Sequence, residues 1–242
     1  MANVSIELSI IRKRLYIQRV GNRKYKEKMN IQGIIFDLDG TLADTEPLHM
    51  EAWLDVLAQQ NLLFDEHWFE QWIGSSDRYL AENVVAEYKL KALPKELQKL
   101  KSATYQDMAA KKAQLYPDVE KGLEALRRHY KLGIATNSSR ADATAVFAST
   151  KVNTYFQAVV TASDVEQLKP VPDVFLLAAN RIELNPANGL AIEDSVAGIK
   201  AAKKAGLYTL AVANSHAVDM LGEADQVFPN TGQALAWILN IP

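Results

Sequence analysis

Five short apolar runs punctuate the chain, each bounded by turn-forming residues: Ile31–Phe36, Leu132–Thr136, Ala158–Thr161, Gly189–Glu193 and Tyr208–Val212. Continuous apolar runs of roughly 4–8 residues between turn signals read as strands buried on both faces. Helical spacing separates the last four. One helical pattern begins near Arg140, a second covers Asp173–Arg181, and a third covers Val196–Ala205 and stops at Gly206, a good residue for leaving a helix. Strands alternating with helices predict βαβ units around a parallel sheet.

Residues 47–115 break that alternation. They hold helical patterns and no convincing strand. Asp44-Thr45-Glu46-Pro47 is a helix-start signal, and Trp53, Leu54 and Leu57 follow at helical spacing. Gly74-Ser75-Ser76 interrupts the pattern. Glu82–Leu90, Lys95–Lys101 and Thr104–Ala113 read as further helices. The alternating character starts at Tyr116-Pro117. The expected architecture is an α/β fold: a doubly wound, Rossmann-like parallel-sheet core over 31–46 and 116–242, with a small all-helical domain over 47–115 inserted after the first strand.

At 242 residues, 48% hydrophobic and 23% charged, the chain has the composition of a globular protein with a sizeable core. It contains no cysteine, which excludes disulfides, thiolate zinc sites and cysteine nucleophiles. The net charge of -2 hides an asymmetry. Residues 1–30 carry eight Lys/Arg and two Glu, so the remainder stands at -8. The basic leader lacks the uninterrupted apolar core of a secretory signal. It is expected to be a loosely ordered extension, with Met29 as an alternative start. No apolar run approaches the roughly 20 residues of a membrane-spanning helix. Neither a nucleic acid nor a membrane is expected as a partner, and a cytoplasmic monomer is.

The chemistry concentrates at the strand ends. Asp37-Leu38-Asp39-Gly40-Thr41 leaves the first apolar run with two carboxylates two residues apart. In open parallel sheets ligands bind in the crevice outside the C-terminal strand ends. There one carboxylate could attack phosphorus and the other could exchange a proton with the leaving oxygen. Thr136-Asn137-Ser138-Ser139 follows the second core strand and offers hydroxyls, an amide and turn N–H groups as a cradle for phosphate oxygens. Each group also has a plainer use as a helix cap. Lys169-Pro170-Val171-Pro172-Asp173 holds a lysine on a proline-stiffened segment. Glu193-Asp194 closes the fourth strand, where a carboxylate cluster suits magnesium.

In this order, Asp37-x-Asp39, Thr136, Lys169 and Glu193-Asp194 resemble the four motifs of the haloacid dehalogenase superfamily. The similarity covers about residues 31–230. It implies a Mg²⁺-dependent phosphatase acting through an aspartyl-phosphate. On that resemblance Asp37 is the nucleophile and Asp39 the general acid/base. Thr136, Asn137 and Lys169 hold the phosphoryl oxygens. Asp37, the backbone carbonyl of Asp39, and Asp194 bind the metal, with Glu193 as a further ligand or support. An acid at position 39 favours phosphoester chemistry over dehalogenation. The helical insert resembles a small cap, and His49, Ser75, Arg78 and Lys101 are its candidate substrate contacts. The substrate is expected to be a small phosphorylated metabolite, chiefly a sugar phosphate. A β-phosphoglucomutase-like isomerase is the alternative, and a catalytically idle binding protein on the same fold is the alternative of another class.

Overall fold

The computed structural model describes residues 30–72 and 76–241. The basic leader, apart from Asn30, lies outside the described residues, as does Ser75. No helix among the described residues is long and apolar enough to cross a membrane.

Among the described residues there are eight strands: β1 (Gly33–Phe36), β2 (Ala43–Asp44), β3 (Gln114–Leu115), β4 (Lys131–Ala135), β5 (Ala158–Val160), β6 (Gly189–Glu193), β7 (Tyr208–Val212) and β8 (Gln226–Phe228). Six form one sheet in the order β5-β4-β1-β6-β7-β8, and β2 pairs with β3. Every pairing in the large sheet is parallel. All four residues of β1 are buried, which is why the strand reads as an unbroken apolar run. Phe36 lies opposite Ile134 on β4 and Ile192 on β6, so the ends of the three strands are level.

The described residues divide into two compact units, one comprising 30–42, 115–138 and 152–241, the other 43–72, 76–114 and 139–151. The first contains the six-stranded sheet with α5 (Val119–Leu126), α7 (Asp173–Arg181), α8 (Val196–Lys204) and α9 (Thr231–Leu239). Ile35, Ala135, Val160 and Ala191 of the sheet share a buried cluster with Val174, Phe175 and Ala178 of α7 and with Ala201 and Ala202 of α8. Alternate sheet residues such as Ile34 and Phe36 point to the opposite face, and both are fully buried. Helices α5 and α9 meet so closely that a Cβ on Gly122 would lie 2.6 Å from a methyl of Leu235.

The second unit contains α1 (Glu46–Gln59), α2 (Glu66–Phe69), α3 (Asp77–Glu87), α4 (Pro94–Lys112) and α6 (Arg140–Thr150). Its core is Trp53, Val56, Leu57, Phe69, Leu80, Ala81, Val84 and Leu97. Deleting a buried side chain as large as Trp53 costs about 3–5 kcal/mol. The structure differs from the sequence expectation in three ways. The two helices expected over Lys95–Lys101 and Thr104–Ala113 are one 19-residue helix, because nothing between them breaks it and Leu97, Lys101, Tyr105 and Ala109 continue one buried stripe. Helix α3 begins at Asp77 rather than Glu82, because Ser76 Oγ caps it by accepting from Tyr79 N–H. Residues 139–151, expected in the core, pack with the insert. Asp142 Oδ1 accepts from Ser102 Oγ at 3.2 Å and Gln106 Nε2 at 2.9 Å, both on α4, and Ser149 Oγ donates to the Ala109 carbonyl at 3.0 Å.

Candidate active site

Asp37 is the first residue past β1. Its N–H donates to the Ile192 carbonyl at 3.0 Å, so the ladder with β6 continues to the carboxylate itself. Glu193, the last residue of β6, stands at the same height. One ligand oxygen from each of Asp37, Glu193 and Asp194 falls within 4.8 Å of the others, and all three residues are buried. Parallel strands in register thus deliver adjacent carboxylates from residues about 156 positions apart.

Lys169 holds this cluster together. Its ammonium lies 2.5 Å from Asp37 Oδ1 and 2.6 Å from Glu193 Oε1, and 5.0 Å from the Phe175 ring centroid. The loop carrying it is pinned by Asn137, whose Oδ1 accepts from Lys169 N–H at 3.0 Å and whose Nδ2 donates to the Lys169 carbonyl at 3.5 Å. Asn137, expected among the phosphate ligands, therefore positions the lysine loop in this structure. The Lys169–Pro170 peptide is cis.

Glu193 is fixed on both sides. Oε1 meets Lys169, while Oε2 accepts from Asp194 N–H at 3.0 Å, Ser195 N–H at 3.0 Å and Ser195 Oγ at 2.9 Å. Ser195 also caps α8 by accepting from Gly198 N–H at 3.0 Å. A Cβ on Gly198 would sit 1.8 Å from Glu193 Oε1, so glycine is required there for the carboxylate to lie against the helix.

Asp39 is two residues beyond Asp37 and has a different environment. Its Oδ2 accepts from Ser138 Oγ at 2.5 Å and lies 3.3 Å from Thr136 Oγ1. Thr136 Oγ1 in turn accepts from Ser138 N–H at 2.9 Å. The turn after β4 therefore gathers two hydroxyls around the second carboxylate. Ser138, expected from the sequence as part of the Thr136–Ser139 phosphate cradle, here meets Asp39 instead.

The electrostatics divide the acids. Burial pushes the Asp37 carboxyl well above the ordinary carboxylate range; Lys169 opposes that shift, and Glu193, Asp194 and Asp39 add to it. Burial and then the Glu193 charge push Asp194 up to about 7, against hydrogen bonds from Ser215 and Thr41 and the charge of Lys169. Lys169 is also desolvated, but the charges of Asp37 and Glu193 outweigh this and raise its pKa. A single ammonium thus faces three buried carboxylates. Oxygen-only donors with uncompensated negative charge fit a hard divalent cation.

In the helical unit, Lys101 is 2% exposed. Its ammonium meets His49 Nδ1 at 2.6 Å and Asp77 Oδ2 at 2.8 Å, and Trp53 Nε1 donates to Asp77 Oδ1 at 2.8 Å. His49 stacks on Tyr105, with centroids 4.0 Å apart. Burial raises the Asp77 pKa, but the adjacent Lys101 charge and the donors from Lys101 and Trp53 lower it further than burial raises it. Two of the expected cap contacts, His49 and Lys101, therefore meet. Arg78 is elsewhere: its side chain is 77% exposed and pairs with Glu82 one helical turn on, at 2.8 Å. Asp77, which is not among the expected substrate contacts, takes the central place.

Known proteins resemble this chain in sequence and in fold. A family profile described as haloacid dehalogenase-like hydrolase matches residues 34–212. The fructose-1-phosphate phosphatase YqaB of Escherichia coli is 34% identical over 177 residues, covering 72% of this chain and 93% of that protein. The β-phosphoglucomutase of Bacillus subtilis is 33% identical over 218 residues, covering 87% of this chain and 94% of that protein. Among solved structures, CbbY from Rhodobacter sphaeroides in complex with phosphate superposes with a TM-score of 0.73 at 23% identity, covering 84% of this chain and 96% of that one. The matched region runs from β1 through β7 and takes in Asp37, Asp39, Lys169, Glu193 and Asp194, so the chain belongs to the haloacid dehalogenase-like hydrolase family.

Proposed function

We propose that this phosphoric monoester hydrolase is a Mg²⁺-dependent phosphatase of small phosphorylated carbohydrates, working in the cytoplasm as a monomer and through an aspartyl-phosphate on Asp37. The observation that carries this is the ion pair between Lys169 and Asp37 inside a buried carboxylate cluster. A nucleophilic carboxylate must be ionised, and burial works against that. Lys169 counters burial at Oδ1, leaving the other oxygen of Asp37 to attack phosphorus. The new bond is Asp37 O–P, and the bond that breaks joins phosphorus to the leaving oxygen. Asp39, held by Ser138 and Thr136, gives its proton to that oxygen. It then takes a proton from the water that attacks phosphorus and releases Asp37. Splitting one displacement into two is the gain of covalent catalysis. Asp37, Glu193, Asp194 and the Asp39 carbonyl would hold the Mg²⁺, which supplies charge neutralisation so that an anionic nucleophile can approach an anionic ester.

The helical unit is proposed as the cap, with His49 and Lys101 contacting the leaving group. The phosphatase relative named for fructose 1-phosphate supports a sugar phosphate as substrate. The test is phosphate release from a panel of hexose and pentose phosphates with and without Mg²⁺, together with mass analysis for a phosphoryl group on Asp37. Mg²⁺-dependent release and a trapped adduct that is absent from Asp37→Asn support the mechanism. Release without any adduct on Asp37 in a rapid quench overturns it.

A mutase is favoured by one specific observation, the 33% identity to a β-phosphoglucomutase across 87% of this chain. Glucose 1-phosphate separates the two activities: a phosphatase yields inorganic phosphate, a mutase glucose 6-phosphate.

A further inference from the structure

A second polar network lies beside the carboxylate cluster, built from residues after β7 and at the start of α9. Asn214 Nδ2 donates to the Gly40 carbonyl at 2.8 Å and to Thr231 Oγ1 at 2.9 Å. Thr231 Oγ1 donates to the Thr41 carbonyl at 2.6 Å, and Thr41 Oγ1 donates to Asp194 Oδ1 at 3.2 Å. Ser215 Oγ also hydrogen-bonds the Asp194 carboxylate. Gly40 adopts φ +74, and a Cβ there would lie 2.2 Å from Asp194 Oδ2 and 2.4 Å from Ser215 Oγ. The turn that follows the two catalytic acids is thereby held to the strand end that carries Asp194.

We propose that Asn214, with Thr231 and Ser215, is a positioning device that sets the Gly40-Thr41 turn against Asp194 and so preorganises the divalent-cation site. The proposal rests on the phosphatase function above. Its physical basis is the direction of the donors. The amide of Asn214 and the hydroxyl of Thr231 hold two successive carbonyls of one turn, Gly40 and Thr41, and so fix the two peptide planes that directly follow the peptide between Asp39 and Gly40. That peptide carries the Asp39 carbonyl, the backbone group assigned to the metal. Thr41 and Ser215 then fix the Asp194 carboxylate from two directions. Partners of metal ligands at this remove typically matter by about 10–100-fold in affinity or activity. Thr231 is fully buried, so its hydroxyl has no water to fall back on.

The test uses the full-length enzyme with Mg²⁺ as the probe. Mg²⁺ affinity is measured by calorimetry on protein stripped of metal. kcat and KM for p-nitrophenyl phosphate and the melting temperature are measured in parallel. Asn214→Ala, Thr231→Val and Ser215→Ala are compared with the conservative Thr231→Ser. The expected result is Mg²⁺ binding weaker by about tenfold or more in the first three, kcat reduced, and KM little changed at saturating Mg²⁺. Thr231→Ser should restore wild-type values. Variants with a lower melting temperature but wild-type Mg²⁺ affinity and kcat, assayed well below melting, show a purely structural role and overturn the proposal. Should Asn214→Ala fail to fold, Ser215→Ala and Thr231→Ser against Thr231→Val decide alone. Wild-type enzyme without Mg²⁺-dependent hydrolysis overturns the phosphatase function and the proposal together. Wild-type hydrolysis with unchanged variants overturns the proposal alone.

Discussion

Ser138 Oγ donates to Asp39 Oδ2 across 2.5 Å, joining the turn after β4 to the second acid of the nucleophile loop. This contact orients the carboxylate that is proposed to exchange the proton. Ser138→Ala removes this contact and leaves the longer one from Thr136 in place. Losing a hydrogen bond to a charged group costs about 1.5–3 kcal/mol, which corresponds to a fall in kcat of roughly ten- to hundredfold. Ser138→Thr should retain most activity. Steady-state kinetics of the pair check this, and equal losses in both variants would point to packing instead.

Asp39 itself should separate catalysis from metal binding. Asp39→Asn removes the proton shuttle, worth roughly 10²–10⁴-fold, but keeps the backbone carbonyl. Turnover should collapse while Mg²⁺ affinity, read by calorimetry, changes little. A parallel collapse in affinity identifies the side chain as a metal ligand and removes its assigned role.

Asp37→Asn should abolish turnover by about three orders of magnitude or more with the fold retained, since it deletes the nucleophile. It also removes one charge from a crowded buried cluster, so its melting temperature without metal should not fall below that of the wild type. A variant retaining more than about a tenth of the wild-type rate would falsify covalent catalysis at this position.

Asp194 sets a pH dependence. Its pKa in the folded protein is about 7, above the ordinary value of 3.8. The protonated form is therefore the one the fold favours. The stability it contributes is full below 3.8 and is lost as pH rises through about 7. Asp37 shifts in the same direction. Metal-stripped protein should lose melting temperature as pH rises from about 5 to 8 through these groups. Mg²⁺ binds the deprotonated cluster, so the gain in melting temperature on adding Mg²⁺ should grow over the same interval. Thermal scans with EDTA and with Mg²⁺ at several pH values check this, and a gain independent of pH would exclude the cluster as the binding site.

The helical unit should govern selectivity. Lys101→Met and His49→Ala dismantle the buried group around Asp77 and should change the ranking of kcat/KM among sugar phosphates, leaving p-nitrophenyl phosphate comparatively unaffected. Arg78→Ala breaks only an exposed pair and should alter each substrate by less than about twofold. A common factor across all substrates in the first two variants would assign Lys101 and His49 to stability.

The parallel core was legible because its strands are buried on both faces: β6, β7 and α7 have the boundaries that the apolar runs and helical spacing predict. The acids and the lysine were legible because each ends or follows such a run. What escaped depends on long-range packing. Strand order cannot be read from local pattern, and β8 is only three residues long. Asn214, Ser215 and Thr231 have the appearance of ordinary loop and cap residues, and only the meeting of the β7 and β1 loops gives them a role. Asp77 looks like a first-turn acid of α3, and its value lies in meeting a lysine 24 residues away. Position 101 looks solvated within a lysine-rich stretch, yet it falls on the buried stripe of α4.

The level register of β4, β1 and β6 gives the site a tolerance to error that is unequal in direction. Surface loops before these strands can lengthen without displacing any reacting group, because heights are counted from the ladder and not from the loops. A one-residue insertion or deletion within Gly33–Phe36 has the opposite effect. It would lift or lower Asp37 by about 3.3 Å against Glu193 and turn its side chain to the other face of the sheet. Over descent, indels can therefore accumulate freely around this centre while the four residues ahead of Asp37 stay fixed in number, however much their identities change.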